Sequence, residues 1–144
     1  MHSKLIRIER KNMNLIIANM KWIMIVSGLL TCTMLFAAIA PQAALNSIFG
    51  SSLEGPLAEI VVRSWGVLIT LVGAMLIYGA YHLPSRPLAL TVAIISKLIF
   101  ITLLLTYGEP FLGAQTFVTI LFDLVAAAVF IIYLIGARPS RSIA

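Results

Sequence analysis

Charge is scarce in this chain. Asp, Glu, Lys and Arg together make up 10% of its 144 residues, with five acidic residues against ten basic ones. Histidine occurs twice and cysteine once. The single cysteine, Cys32, permits no internal disulfide and no cysteine-rich metal site, and reads as a small packing residue. His2 stands next to the amino terminus and His82 at the end of an apolar run, which argues against bis-histidine haem ligation within one chain. There is no phosphate-binding glycine loop, and no nucleophile, base and acid can be assembled. No catalytic residue is therefore assigned, and the chain reads as a non-enzyme before it reads as an enzyme.

What is plentiful is apolar surface. Hydrophobic residues account for 61% of the chain and the mean hydropathy is +1.07, far outside the range of soluble domains. A chain of this length holds one domain, residues 1–144. Four stretches, 21–40, 57–82, 88–106 and 115–137, reach the roughly 20 apolar residues that a spanning helix needs. None carries the continuous polar stripe of a soluble bundle helix, and none alternates as a barrel strand would. The expected fold is all-α: a polytopic membrane protein built as an antiparallel four-transmembrane-helix bundle, its short connections making consecutive helices neighbours. Residues 41–56 form the one long connection. They contain turn formers such as Asn46, Gly50, Ser51 and Gly55, but Leu45, Ile48, Phe49 and Leu53 give the segment an apolar side expected to pack over the outer mouth.

The distribution of charge sets an orientation. With four spans, both termini and the second connection share a side, which carries Lys4, Arg7, Arg10, Lys11, Lys21, Arg86, Arg138 and Arg141 against the single acid Glu9. Glu54, Glu59 and Glu109 fall on the other side, with Arg63 at its edge. The positive-inside bias places both termini in the cytoplasm. The net charge of +5 then reflects topology and contact with anionic lipid heads, and calls for no nucleic acid partner. The leader, residues 1–20, interleaves basic and apolar residues. It fits an amphipathic helix on the membrane surface or an irregular basic tail, and Met13 and Met20 are alternative starts. Ala38-Ile39-Ala40 resembles a signal cleavage site, but Pro41 would follow the cut, so the first span is expected to be retained.

Two charges sit inside apolar runs. Lys97 lies nine residues before Thr106 and Asp123 eight residues after Gln115, depths of about 13 and 12 Å on adjacent helices at 1.5 Å per residue. A lone charge at the centre of a membrane helix costs roughly 2.5–3.5 kcal/mol on insertion scales, so an ion pair that locks the bundle is expected. Glu59 and Arg63, four residues apart, make a second candidate pair near the outer end of the second span. Small residues mark the packing faces. The ladder Gly66, Thr70, Gly73 and Ala74 on the second span allows close backbone approach. Ser27, Gly28, Thr31 and Cys32 do the same on the first, and Thr116, Thr119, Asp123, Ala126 and Ala127 on the fourth. Trp22, Tyr78, Tyr81, Tyr107 and Tyr133 fall towards span ends as aromatic belt residues, and Trp65, beside Arg63 and Gly66, fits either the belt or a pocket wall and is read first as belt.

Arg63-Ser64-Trp65-Gly66, Gly73, Tyr78-Gly79-Ala80 and Ser96-Lys97, in their helix order, resemble the small bacterial four-helix membrane proteins of the BphX-like and DoxX-like groups. The resemblance covers roughly Phe49 to Phe130. It implies residence in the cell inner membrane and, through some DoxX-like relatives, a link to quinone-dependent oxidation of sulfur compounds; it carries over no catalytic residue. Three roles follow as expectations. The first is an accessory or scaffold subunit, with a membrane protein partner or as a homo-oligomer. The second is a quinone- or lipid-binding redox component, with Arg63, Lys97 and Asp123 around the headgroup and Trp65, Phe100 and Ile120 as apolar walls. The third is a small transporter. Quinone is the one cofactor that enters these expectations, and no metal does.

Overall fold

A computed structural model describes residues 2–137, with side chains from Asn14 onward. The basic side chains of the leader and of the carboxyl-terminal tail lie outside the described residues. Six α-helices follow one another: α1 (His2–Cys32), α2 (Leu35–Ile39), α3 (Pro41–Phe49), α4 (Pro56–Tyr81), α5 (Arg86–Tyr107) and α6 (Ala114–Gly136). Short 3-10 turns at Leu83–Ser85 and Glu109–Phe111 join the last three. No strand occurs among the described residues. Four stretches are long and apolar enough to cross a membrane: Asn14–Ile39, Pro56–Tyr81, Leu83–Tyr107 and Ala114–Gly136. Leu57, Leu68, Leu105 and Ile135 stand exposed on them, as lipid-facing side chains do.

The helices form a ring in which α4 packs on α1 and α5, and α6 closes on α5 and α1. Glycine sets the contacts of α4 with α1 and with α2. A Cβ on Gly73 would stand 2.7 Å from the Gly28 carbonyl oxygen, and one on Gly66 would stand 2.8 Å from the Ala38 nitrogen, so neither backbone has room for a side chain. Ala74, grouped with these glycines by sequence spacing, is exposed instead. At 3.6 residues per turn Gly73 returns to within about 20° of Gly66, whereas Ala74 lies roughly 80° round the helix. Met20, Met24, Leu76, Leu90 and Phe130, each fully buried, fill the bundle at the end where Arg86 lies. Smaller clusters, Ala37 with Ala44, Leu45 and Val62, and Ile101 with Leu104 and Ile120, occupy the opposite end.

Much of the long connection is helical. Proline at the first turn of α3 removes a donor that has no intrahelical partner, and Gly50, at φ 65°, ends the helix in the left-handed conformation with its N–H on the Asn46 carbonyl. Ala44 and Leu45 point inward, and the Ile48 carbonyl accepts the Thr116 hydroxyl at 2.8 Å. The apolar side noted in the sequence thus lies over that end of the bundle as a helix.

The first span does not run through. After Cys32 the chain leaves α1, and the N–H groups of Thr33 and Met34 reach back only three residues, to the carbonyls of Leu30 and Thr31. The Thr31 hydroxyl donates to the Ser27 carbonyl at 2.7 Å and that of Thr33 to Leu30 at 2.6 Å. Threonine hydroxyls that bond backbone carbonyls in this way bend helices. The span resumes as α2, held against α4.

Candidate functional site

Lys97 on α5 and Asp123 on α6 form an ion pair, Nζ to Oδ1, with their side chains 9% and 13% exposed. Several features fix it. Lys97 follows Ala93 on the inward face of α5, Asp123 precedes Ala126 and Ala127 on that of α6, and the small neighbours let the two helices close. The Phe122 ring lies 5.5 Å from the ammonium.

Beside this pair is a cavity of about 350 Å³. Its walls are Leu30, Thr31, Thr33 and Met34 at the break in the first span, Trp65, Ile69 and Val72 on α4, Ser96 and Phe100 on α5, and Val118, Thr119 and Phe122 on α6, with Ile48 of α3 above. Of the two places the sequence leaves for Trp65, belt or pocket wall, the structure shows the wall. Its ring stacks on Phe100 at 6.4 Å and tilts against Phe49 at 6.4 Å. It is half-buried at the α4–α5 seam. A second, apolar groove of about 330 Å³ lies on the far side of Trp65 and Phe100, bounded by Leu45, Val62, Leu103 and Tyr107. Ile120, named among the expected walls, belongs to the cluster with Ile101 and Leu104 and does not line the cavity.

The pair's hydrogen-bonding capacity is only partly used. Lys97 has three N–H donors and one protein acceptor, and Asp123 engages one carboxylate oxygen. Thr31 and Thr119 spend their hydroxyls on Ser27 and Gln115 carbonyls, whereas the Ser96 hydroxyl makes no protein hydrogen bond among the described residues. No fully enclosed polar side-chain atom lacks a partner among them, so the second Asp123 oxygen and the Ser96 hydroxyl are not fully enclosed, and both residues line the cavity with Lys97. The ion pair contributes no net charge, and the other polar side-chain groups of the lining residues are the hydroxyls of Thr31, Thr33, Ser96 and Thr119 and the Trp65 indole N–H.

Arg63 and Glu59 stand apart from this site. Arg63 donates to Glu59 through Nε at 3.1 Å and Nη2 at 2.5 Å. Its Nη1 donates to the carbonyls of Ala38 and Ile39 at the end of α2. Both side chains are half exposed, and neither lines the cavity. The separation follows from the helix: Arg63 lies on the α4 face that receives α2, where terminal carbonyls lack intrahelical donors.

Arg86 plays a part that its place in a basic turn did not reveal. It is buried, with Nε on the Gly79 carbonyl at 3.2 Å, Nη2 on the Ala80 carbonyl at 2.9 Å and Nη1 on the Tyr133 hydroxyl at 3.2 Å. The guanidinium closes the carboxyl-terminal end of α4 and ties it to α6. Tyr133 is accordingly buried and not a belt residue. The proximity of Arg86 to the Tyr78-Gly79-Ala80 turn was the only sequence signal. Cys32, as a small packing residue, donates its thiol to the Thr70 carbonyl at 3.6 Å. Among the described residues no three His, Cys, Asp or Glu side chains converge as a metal site would require. No family model, curated protein or solved structure matches the chain.

Proposed function

We propose that this protein is an inner-membrane component that holds the headgroup of a neutral amphiphile, of quinone or lipid type, beside Lys97 and Asp123. One observation carries the reading: a buried ion pair with unused donors and an unused acceptor borders a cavity of about 350 Å³, within the size range of small-molecule sites. A pair that served only to lock two helices would have no need of open space beside it. Because the pair sums to zero charge, an uncharged headgroup adds none to a low-dielectric interior, where isolated charge is costly. Lys97 would donate to a carbonyl or hydroxyl oxygen of the ligand. The second Asp123 oxygen or Ser96 would accept from a ligand hydroxyl. Trp65, Phe100 and Phe122 supply flat apolar walls for a ring or a chain. A quinone head meets these requirements through its carbonyls, and its electron transfer would belong to a partner; here it is only bound. This reading replaces the expected ligand trio of Arg63, Lys97 and Asp123, since Arg63 is committed to Glu59 and α2. Both termini are assigned to the cytoplasmic side, on the charge asymmetry.

The test is extraction of the intact protein in mild detergent and mass spectrometry of what remains bound. Lys97→Met/Asp123→Leu keeps the interior neutral and removes the polar site. The expected result is a neutral amphiphile in the wild type that is lost from the double variant. A ligand-free wild type, or one whose ligand persists in the double variant, returns the pair to the scaffold role.

A further inference from the structure

We infer that the cavity is entered sideways from the hydrocarbon phase, through a gap between the broken first span and α6, and that the ligand's tail remains in that gap. This rests on the headgroup reading for its ligand and on separate geometry for its route. The end of the cavity nearest α3 is covered: Ile48 lines it, and the Ile48 carbonyl is tied to the Thr116 hydroxyl, itself only 1% exposed. The opposite end is plugged by Met24, Leu76, Leu90 and Phe130, all without exposure. Towards α4 and α5 the lining residues are buried or half-buried, Trp65 and Phe100 stacking across the seam. The remaining side differs. Leu30 is 47% exposed, Val118 65% and Phe122 39%, yet all three line the cavity, and Thr33 beside them is exposed as well.

The gap lies at the level of the apolar spans. Leu30 is nine residues from the end of Asn14–Ile39, and Phe122 eight from the start of Ala114–Gly136, which places both about 12–13 Å from those ends. Irregular backbone at such depth is tolerated where it is buried or lines a cavity, and the Thr33–Met34 break does line this one. An opening rimmed by Leu, Val and Phe at membrane depth faces acyl chains. A solute arriving by it is already dissolved in the bilayer, so the ligand class is a tailed amphiphile and not a free polar metabolite.

The experiment uses the full chain in phosphatidylcholine vesicles containing a long-chain alcohol that carries two diazirines, one beside the hydroxyl and one midway along its tail. After photolysis, peptide mass spectrometry locates the adducts. Adducts are expected on Leu30, Val118 and Phe122 and, beyond the surface, on the buried Ala93 and half-buried Ser96. Val118→Trp, which narrows the gap at an exposed position, should abolish the adducts on Ala93 and Ser96. Adducts on lipid-facing Leu68 and Leu71 should persist and report an intact fold. Absence of interior adducts in the wild type, or their persistence in Val118→Trp, overturns the route. Failure of the headgroup reading gives a different result: interior adducts that survive Lys97→Met/Asp123→Leu unchanged.

Discussion

Removing one charge from the Lys97–Asp123 pair should be far more damaging than removing both. Lys97→Met and Asp123→Leu retain volume while deleting charge, so the comparison isolates electrostatics from packing. With side chains 9% and 13% exposed, either single variant leaves an unpaired charge in a poorly solvated interior. Breaking such a pair from one side costs about 3–5 kcal/mol. Unit charges about 4 Å apart at an effective dielectric of about 20 attract by about 4 kcal/mol, which is consistent with that range. The pair also borders a cavity that can admit water, which favours the lower end, roughly 3 kcal/mol for each single variant. Replacing a buried pair by apolar residues is often neutral, so the double variant should lie near wild type. The implied coupling is far above the average of about 0.6 kcal/mol, and the maximum of about 1.7, found for hydrogen bonds between membrane helices. The assay is reversible unfolding in mixed micelles, followed by far-ultraviolet circular dichroism for all four members of the cycle. Losses that add to within about 0.5 kcal/mol, the tolerance for independent sites, would refute the coupling.

Three other outcomes follow from the packing and one from the charge asymmetry. Gly73→Ala should lower thermal stability because its Cβ meets the Gly28 carbonyl at 2.7 Å, whereas Ala74→Leu, at an exposed position, should leave the melting curve in detergent unchanged. Arg86→Leu strands two helix-terminal carbonyls and the Tyr133 hydroxyl, at about 1–3 kcal/mol for each group left buried without a partner; Arg86→Lys should fail to restore the loss in the same unfolding assay, because a point charge lacks the guanidinium fork. Thr116→Val removes the donor shared by the Ile48 and Phe111 carbonyls, and is expected to cost about 1 kcal/mol and to speed amide exchange in α3. Reporters fused after Ala144 and inserted near Ser51 should score on opposite sides of the membrane, the former cytoplasmic; equal activity at both would remove the four-span arrangement.

Spans were legible because hydropathy over about 20 residues is a strong one-dimensional signal. Lys97 and Asp123 were legible for the converse reason, each a charge that an apolar run cannot hold alone. Less was visible where meaning depends on a neighbour distant in sequence. Gly50 reads as a loop former until it and Pro41 are seen as the two ends of α3. Arg86 counted as a topological charge because its acceptors are backbone carbonyls and a tyrosine 47 residues away. Trp65 could be placed in a belt or in a wall, since an aromatic near a span end satisfies both patterns. Arg63 shares a helix edge with the cavity by residue number, yet its donors go to α2, an element created by a break that hydropathy does not register.

That break connects the fold to the site. Gly28 and Gly73 bring α1 against α4 at backbone distance, and beyond Met34 the chain stays on α4, with Gly66 receiving Met34 and Ala38. Dispersion favours this close approach, since lipid offers no hydrophobic drive between helices. The side of the first span turned to α6 gains no comparable contact at that level. There α6 presents Val118, Thr119 and Phe122, bulkier than glycine, and the two helices meet closely only further along, where Met20 and Met24 share a cluster with Ala126 and Phe130. The tight seam on one side therefore leaves space on the other. Lys97 and Asp123 border that space with hydrogen-bonding groups that acyl chains alone cannot satisfy. Widening the mouth offers the reciprocal test of this geometry: Val118→Gly/Phe122→Ala removes two rim side chains and should speed exchange of the bound amphiphile with added detergent while the ion pair is retained, and an unchanged exchange rate would refute the gap as the way in.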